Sequence, residues 1–308
     1  MIFNIIFMGT SDFSKEFLEH LYSSKNFKIK AIYTQPPKKS ERGQKVNLSA
    51  VHKFSNEKDL SVYCPSNFSE SDINNIKKIN PDVIVVVAYG LILPEKILMI
   101  PSCGAVNVHA SLLPKWRGAA PIHRAIMNGD SMTGISIMKM EKGLDEGPTY
   151  LQTQVEIKNN DNFQKISKNL IEAGKQTLDI FFEKHQSFWP TQQDPGSATY
   201  AYKIQKNEMQ IDFNNSAIRA HRKVCAFSPK PGAWFSVDSC KYKIFDTELI
   251  PAKKIKDFLK SKKLILSFKE DFLLVNKIQK EGRNIMPIDD FSRGYLEDLK
   301  KIKLKYSK

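Results

Sequence analysis

Apolar runs bounded by turn residues alternate with segments of helical periodicity through the first two thirds of the chain. The apolar runs predict buried strands, and apolar residues three and four positions apart predict helices. The predicted strands are residues 2–8, 29–33, 61–63, 82–88, 104–110, 134–140 and 149–155. The predicted helices are a segment carrying Phe17, Leu18 and Leu21, then 51–60, 69–79, a short one from Glu95, 119–128 and 163–184. This order predicts an α/β domain whose central strand, 82–88, is buried on both faces.

The last third of the chain has a different pattern, which predicts a small β-barrel or sandwich. Its predicted strands are the brief alternating segments 233–237, 242–247, 264–268 and 272–278. A short basic helix is predicted at 217–224. The stretch before it is rich in Pro, Gln, Ser, Thr and Gly, which is typical of a connecting segment. We therefore predict domains at 1–189 and 209–308, joined by a linker at 190–208.

Positive charge is concentrated at the C-terminal end. The formal net charge is +14, and residues 209–308 carry 22 Lys and Arg against 12 Asp and Glu, a net of +10. Such asymmetry favours a polyanionic partner, with nucleic acid first and an acidic membrane surface second. A solvated, lysine-rich surface is the alternative, since Lys, Ile and Asn are frequent throughout the chain.

Cysteine usage and hydropathy indicate the compartment. The four cysteines are scattered without the paired spacing of a metal site, at Cys64, Cys103, Cys225 and Cys240. This argues against a disulfide framework or a zinc site and fits a reducing cytosol. The apolar start lacks a basic leader and a cleavage site, and no run approaches the roughly 18 apolar residues that span a bilayer. We expect a cytoplasmic protein without a membrane partner.

Asn107 and His109 place an amide and an imidazole at the end of a predicted strand. Because they are two residues apart on a strand, they point to the same side. The carboxyl ends of strands are where open α/β sheets place their sites. Asp145 lies on a predicted loop between Gly143 and Gly147, from which a carboxylate can orient the imidazole. Taken alone, these residues leave two interpretations open, a catalytic trio or polar side chains satisfied at a strand end.

Two basic segments are candidates for phosphate contacts. The first is a polar loop of thirteen residues, 35–47, with Lys38, Lys39, Arg42 and Lys45. The second is the predicted helix at 217–224, with Arg219, Arg222 and Lys223. A surface insertion without a ligand is the alternative for the loop, and a solvated face is the alternative for the helix.

Several motifs point to one known family. They are GTSDF at 9–13, AYGLILP at 88–94, NVHASLLPKWRGAAP at 107–121, TG at 133–134, GLDEG at 143–147, YKI at 202–204, IDF at 211–213 and AFSPKPGA at 226–233. Through them, and over nearly its whole length, the chain resembles the 10-formyltetrahydrofolate-dependent formyltransferases. The chain departs from that family in three places, one of which is the short, lysine-heavy stretch 251–264. Ser11 stands where proline is usual, and residues 228–230 replace a run that typically contains an aromatic residue.

The resemblance implies both the fold and the roles of particular residues. It implies an α/β doubly wound, Rossmann-like N-terminal domain and a small, all-β, OB-like barrel that grips tRNA. It implies that Asn107, His109 and Asp145 form the catalytic trio. The residues that it implies around the folate are Ser111, Leu112, Leu113, Pro114, Tyr89 and Leu91. The basic loop around Arg42 is similar to an insertion that contacts the acceptor stem.

The resemblance also implies a reaction. It is transfer of the formyl group of 10-formyltetrahydrofolate to the α-amino group of methionyl-initiator tRNA, which gives N-formylmethionyl-tRNA for translation initiation. The implied enzyme is a monomer that needs no metal. A formyltransferase acting on a small amine, or a folate deformylase, would not need the basic last third of the chain. A non-catalytic RNA-binding protein would not need the Asn, His and Asp residues.

Overall fold

The computed structural model describes residues 2–39, 46–256 and 263–307. The strands are Phe3–Gly9 (β1), Phe27–Tyr33 (β2), Lys38–Lys39 (β3), Val46–Asn47 (β4), Val62–Tyr63 (β5), Val83–Val87 (β6), Ala105–His109 (β7), Arg117–Gly118 (β8), Met132–Lys139 (β9), Thr149–Glu156 (β10), Tyr200–Ala201 (β11), Ala233–Val237 (β12), Cys240–Ile250 (β13), Leu264–Ser267 (β14), Phe272–Lys280 (β15) and Met286–Pro287 (β16). The helices are Asp12–Ser23 (α1), Ala50–Glu57 (α2), Glu70–Ile79 (α3), Glu95–Leu98 (α4), Pro121–Asn128 (α5), Phe163–Glu183 (α6), Ala217–Phe227 (α7), Ile288–Gly294 (α8) and Leu296–Tyr306 (α9).

These elements form two compact units that are not continuous in sequence. Unit 1 consists of Met1–Pro121, Thr133–Val155 and Ser167–Tyr202. Unit 2 consists of Ile122–Met132, Glu156–Ile166 and Lys203–Lys308.

Unit 1 is built on a seven-stranded sheet with the order β10-β9-β7-β6-β1-β2-β5. The strands β7, β6, β1, β2 and β5 are parallel, and β9 is antiparallel to β7. All five residues of β6 are buried, as its β-branched run predicts for a strand covered on both faces. The chain leaves β1 in one direction through β2 and continues from β6 to β7 in the other. The sheet therefore has a strand-order reversal beside β1, which is where doubly wound folds place their ligands.

Ser11 begins helix α1 through its side chain. Its hydroxyl accepts a hydrogen bond from the backbone N–H of Ser14 (3.2 Å), and the Ser14 hydroxyl lies 3.2 Å from the Ser11 N–H. The Ser14 hydroxyl also donates to the carbonyl of Val87 (2.6 Å), which ties the helix to the end of β6. The departure from proline at position 11 thus has a physical account, since a serine N-cap satisfies a backbone donor that proline would leave to another group.

The segment 35–47 is not wholly irregular, which corrects the prediction of a loop without regular structure. Its ends form a short antiparallel ladder, in which Lys38 pairs with Asn47 and Lys39 with Val46. Arg42 and Lys45, two of the predicted phosphate ligands, lie outside the described residues.

Residues 190–202 take part in unit 1, although they fall within the predicted linker. The backbone of Thr191 exchanges hydrogen bonds with Thr149 (2.8 and 2.9 Å). Further on, β11 pairs in parallel with β8, with Tyr200 opposite Arg117. These contacts fix the end of the segment against the loop that follows β7.

Unit 2 contains a five-stranded antiparallel sheet with the order β12-β13-β15-β14, and β16 pairs with β15. Its core combines side chains from the sheet with side chains from α7, α8 and α9, among them Phe235, Val275, Val224, Phe291 and Ile302. The predicted antiparallel sheet and the helix at 217–224 are confirmed, whereas the sequence did not predict α8 and α9. The sheet is present, but three helices complete its core.

His123 lies against aromatic rings in unit 2. Its ring centroid is 4.3 Å from that of Phe163 and 5.7 Å from that of Phe227. Burial lowers the pKa of His123 from 6.5 to about 4, because desolvation disfavours the imidazolium, and the charge of Arg124 acts in the same direction.

We expect this histidine to make stability depend on pH. Between pH 6.5 and 4 the unfolded chain binds a proton that the folded chain does not bind, so the free energy of unfolding falls as the pH is lowered. The loss from pH 7 to pH 5 is about 2 kcal/mol. Urea unfolding of the wild type and of His123→Phe at both pH values measures it, because phenylalanine keeps the aromatic packing without titrating. Equal losses in the two proteins would contradict this assignment.

Candidate active site

Strand β7 carries Asn107 and His109 at its carboxyl end, two residues apart in sequence. Both side chains are buried, and the register sets Asn107 beside Met138 and His109 beside Ser136 of β9. Val108 lies between them in sequence and, by the alternation of a strand, points to the other face. The two polar groups therefore share one face at the carboxyl end of a parallel strand, as their spacing predicts.

Asp145 completes the cluster from the loop between β9 and β10. Its Oδ1 accepts a hydrogen bond from Asn107 Nδ2 (3.1 Å), and its Oδ2 accepts one from the backbone N–H of Gly118 (2.8 Å). His109 Nδ1 lies 3.6 Å from Oδ2. The structure thus brings the three predicted side chains together around one carboxylate, with Asp145 in the left-handed region at φ 52°.

The second nitrogen of His109 contacts the backbone. Nε2 lies 2.9 Å from the carbonyl oxygen of Trp116, which can only accept, so Nε2 is the nitrogen that carries a hydrogen. Nδ1 is the nitrogen that faces Asp145. Trp116 has φ 61°, so a left-handed bend in the loop presents this carbonyl to the imidazole.

The predicted folate segment, residues 111–114, is held by a network of hydrogen bonds to the residues around it. The Ser111 hydroxyl donates to the carbonyl of Lys115 (2.6 Å) and is buried. Ser136 of β9 donates to the carbonyl of Ser111 (2.6 Å) and accepts from the N–H of Leu113 (3.1 Å). Gln152 adds hydrogen bonds to Leu113 O (2.8 Å) and Ser136 Oγ (2.9 Å). The peptide bond from Leu113 to Pro114 is cis.

The other predicted folate residues lie on the segment after β6. The ring of Tyr89 is buried in the core of unit 1, near Phe68, with ring centroids 6.3 Å apart. Its carbonyl accepts hydrogen bonds from Thr10 Oγ1 (2.8 Å) and Gln35 Nε2 (3.2 Å). Leu91 is half-buried. The Tyr89 ring therefore packs inside unit 1, and its carbonyl holds the segment after β6 through hydrogen bonds.

Sequence patterns did not single out Gln193, which holds the Asp145 loop. Its Nε2 donates to the carbonyls of Asp145 (2.8 Å) and Gly147 (2.7 Å), and its Oε1 accepts from Nε of the buried Arg117 (3.0 Å). Arg117 Nη1 also lies 3.6 Å from Glu146 Oε1. One amide thus fixes the backbone on both sides of Glu146. Local motifs could not predict this contact, because Gln193 lies 48 residues downstream of Asp145.

Gln193→Ala is expected to lower the turnover number about 10- to 100-fold, because the loop that carries Asp145 loses two of its hydrogen bonds and small misplacements of a reacting group are costly. The KM for each substrate should change little. Gln192→Ala, which removes an exposed amide next to it, is the matched control. Steady-state kinetics of both variants decide the matter, and equal turnover in the two would refute a positioning role for Gln193.

The predicted phosphate ligands on α7 have different surroundings. Arg219 is exposed. Arg222 Nη1 donates to the carbonyl of Asn128 (3.3 Å), and Lys223 Nζ donates to that of Gln210 (2.6 Å). Burial also lowers the pKa of Lys223. Two of the three cations are therefore bound within unit 2, and Arg219 is the one best placed to meet a phosphate.

Other features of the described residues bear on the class of site. Among them, no three His, Cys, Asp or Glu side chains are grouped closely enough to hold a metal ion. None of the helices in those ranges has the length and apolar character needed to cross a membrane. The cysteines Cys64, Cys103, Cys225 and Cys240 are all free.

The two sheets and the cluster at the carboxyl end of β7 belong to a chain that matches one enzyme family over both of its parts. Residues 2–179 match the formyl transferase family and residues 203–296 match the formyl transferase C-terminal domain, and the chain belongs to this family. This confirms the resemblance seen in the motifs.

Particular relatives extend the match over both domains. The methionyl-tRNA formyltransferase of Caldicellulosiruptor saccharolyticus is 38% identical over 301 residues, which cover 95% of this chain and 97% of the relative. That of Rhizobium rhizogenes is 39% identical over 302 residues and covers 96% of each chain.

Two solved structures share the fold at low sequence identity. The N-formyltransferase from Helicobacter canadensis, in complex with folinic acid and dTDP-3-aminofucose, has a TM-score of 0.64 at 18% identity, over 91% of this chain and 100% of that one. HypX from Aquifex aeolicus, in complex with tetrahydrofolic acid, has a TM-score of 0.62 at 13% identity, over 96% of this chain and 48% of that one.

Proposed function

We propose that the chain transfers the formyl group of 10-formyltetrahydrofolate to the α-amino group of methionyl-initiator tRNA. The observation that carries this proposal is its end-to-end similarity, at 38–39% identity, to relatives named methionyl-tRNA formyltransferase. The net charge of +10 over residues 209–308 supports an RNA acceptor, because it suits a polyanion better than a small amine. We place the enzyme in the cytoplasm as a monomer.

The chemistry begins with a nucleophile that needs little activation. A free α-amino group titrates at about 7.7–8.0, so a useful fraction of the amine is neutral near pH 7. Its nitrogen attacks the formyl carbon, and the carbonyl oxygen of the formyl group becomes an oxyanion. Asn107 donates one amide hydrogen to Asp145 and has a second for the oxyanion. Protonated His109 adds positive charge nearby, which stabilises the same intermediate.

The proton of the attacking amine must then move to the leaving nitrogen. Asp145 and His109 Nδ1 lie 3.6 Å apart and together form a route for it, directly or through water. The carbon–nitrogen bond to N10 of the folate breaks as N10 takes up a proton. The products are the formylated amine and tetrahydrofolate. In this scheme the carboxylate also lies next to the positive charge of His109.

The formyl donor is assigned to the edge of the sheet beside this cluster. Two large apolar side chains are exposed on the segments that carry the predicted site residues, Ile92 after β6 and Leu144 next to Asp145. Exposed apolar groups beside convergent polar ones are typical of a ligand site. Together with half-buried Leu91 and Leu112, they suit the flat pteridine ring of a folate. The residues present therefore fit the donor, and the hydrogen-bonded segment 111–114 is the proposed backbone wall of its site.

We further propose that the antiparallel sheet of unit 2 curves into an OB-like barrel that binds tRNA. The long strand β13 supports this, because it pairs with β12 through its first half and with β15 along most of its length. Its register with β15 shifts between Ile244 and Thr247, and such bulges bend a strand. Exposed Arg219 and the basic loop around Arg42 are the proposed phosphate contacts.

The test supplies the purified protein with 10-formyltetrahydrofolate and charged initiator tRNA and measures N-formylmethionine released from the tRNA by chromatography. A parallel reaction contains an amino-sugar nucleotide in place of tRNA, and another contains the donor alone. Formylation of the tRNA only is the expected result. Formylation of the sugar, or release of formate from the donor alone, would instead establish one of the other two folate-dependent activities.

A further inference from the structure

Two tyrosine rings lie side by side on the surface of unit 1. Tyr200 is 44% exposed and Tyr202 is 73% exposed, and their ring centroids are 6.1 Å apart with an angle of 20° between the planes. Ala201, between them in sequence, is fully buried. Alternation along the strand therefore directs both rings outward while the alanine anchors the backbone. Together the two rings present a flat aromatic face on the surface of unit 1.

The backbone beneath these rings is fixed to the catalytic loop. The carbonyl of Ala201 accepts the N–H of Ala119 (2.8 Å), and the carbonyl of Thr199 accepts the N–H of Arg117 (2.9 Å). A Cβ on Gly118 would lie 2.9 Å from the carbonyl oxygen of Ala201, so the two strands approach closely because position 118 is glycine.

That same strand touches the proposed catalytic group. The N–H of Gly118 donates to Asp145 Oδ2 (2.8 Å), so the strand paired with Tyr200 and Ala201 also holds the carboxylate. Neighbouring strands are about 4.8 Å apart. The N–H groups of Arg117 and Ala119 face β11, so the N–H of Gly118 and its partner Asp145 lie on the other side of β8. The tyrosine pair is thus separated from the carboxylate by the width of one strand, and its position is set by backbone hydrogen bonds.

The chemistry of the pair suits a nucleobase. Aromatic side chains stack on unpaired bases regardless of base identity, and flat rings fixed by a strand lose little entropy when they do so. The exposed Lys115, two residues before Arg117, supplies a cation for a phosphate in the same segment. We infer that Tyr200 and Tyr202 stack against unpaired bases at the 3′ end of the aminoacyl-tRNA and so deliver its esterified amino acid to Asp145. This inference rests on the proposed function and names the part of the RNA that the site grips.

The decisive experiment combines a protein change with an RNA change. Wild type, Tyr202→Ala, Tyr200→Ala and Tyr202→Phe are compared in binding to intact initiator tRNA and to the same tRNA lacking its four 3′-terminal nucleotides. Each alanine variant should bind intact tRNA roughly tenfold more weakly or worse, since it loses the stacking of a base on an aromatic ring. It should bind the shortened tRNA as the wild type does, and Tyr202→Phe should retain binding.

Kinetics provide the second readout and the matched control. Tyr22→Ala removes a ring whose exposure, 42%, is close to the 44% of Tyr200. Tyr22 lies in the last turn of α1, and its removal should leave the KM for tRNA unchanged. In Tyr202→Ala the KM for charged tRNA should rise while the KM for the formyl donor stays constant. A rise in the donor KM instead would assign the rings to the folate and overturn the inference.

Equal weakening toward intact and shortened tRNA would overturn it as well. Failure of the proposed function has a different signature, because the wild type would then not formylate charged tRNA at all, whereas the comparison of intact and shortened RNA can still be made.

Discussion

Asp145→Asn is expected to lower the turnover number by a factor of about 10² to 10⁴, the usual contribution of a positioned acid–base group. The amide has almost the same shape, and its oxygen can accept from Asn107 or from the Gly118 N–H but not from both. The backbone of the loop keeps its hydrogen bonds to Gln193. The amide lacks the negative charge that lies 3.6 Å from His109 Nδ1, and it cannot accept the proton of the amine. The KM for charged tRNA should stay near that of the wild type, because the carboxylate acts on the reacting atoms.

A neighbouring carboxylate offers the control. Glu146→Gln removes a negative charge one residue away, on an exposed side chain that lies 3.6 Å from Arg117. Single-turnover measurements with preformed enzyme–tRNA complex separate the chemical step from binding. Asp145→Asn should slow the chemical step far more than Glu146→Gln does. If the two variants slow it to the same small extent, the rate depends only on the total negative charge of the loop and Asp145 has no specific role.

The second large effect is expected at Asn107. Asn107→Ala should slow formyl transfer by about 10²- to 10³-fold, because the proposed oxyanion donor is lost and such donors contribute about 2.7–4 kcal/mol. Asp145 Oδ1 loses its partner in the same variant. Because the two residues act on one step, the double variant Asn107→Ala with Asp145→Asn should be much less impaired than the product of the two single effects.

If the rate loss of the double variant instead equals the product of the two single losses, Asn107 and Asp145 act independently. Thermal unfolding of each variant supplies the control for folding, since Asn107 is buried and its removal leaves a small space beside β9. A variant with near-normal stability and strongly reduced turnover is the result that supports catalysis.

Much of unit 1 could be predicted because its pattern is strong. The run Val83–Val87 is β-branched throughout, and both of its faces are buried, so local preference and tertiary environment agree. The period of two along β7 likewise sufficed to place Asn107 and His109 on one face. The glycine-flanked loop made Asp145 a candidate and the resemblance gave it a role, but its distance of 3.1 Å from Asn107 required the structure.

The parts that could not be predicted depend on partners distant in sequence or on weak patterns. Gln193 meets the Asp145 loop through backbone carbonyls, and no spacing rule anticipates a partner 48 residues away. Helix α9 has eleven residues, of which only Leu299 and Ile302 are buried, so its apolar stripe is too narrow to stand out from the surrounding lysines. Tyr200 and Ala201 form a strand only because β8 is there to pair with them.

The carbonyl of Trp116 has a consequence for recognising distant relatives. It is a main-chain atom, presented to His109 by a left-handed bend at φ 61°, so the indole does not define the hydrogen bond. Glycine or asparagine adopts such a bend more readily than tryptophan does. Chains with either residue at this position can therefore preserve the imidazole anchor, and a search pattern that insists on an aromatic residue there would discard them. A pattern built on the Asn-x-His pair and the later Asp would keep them.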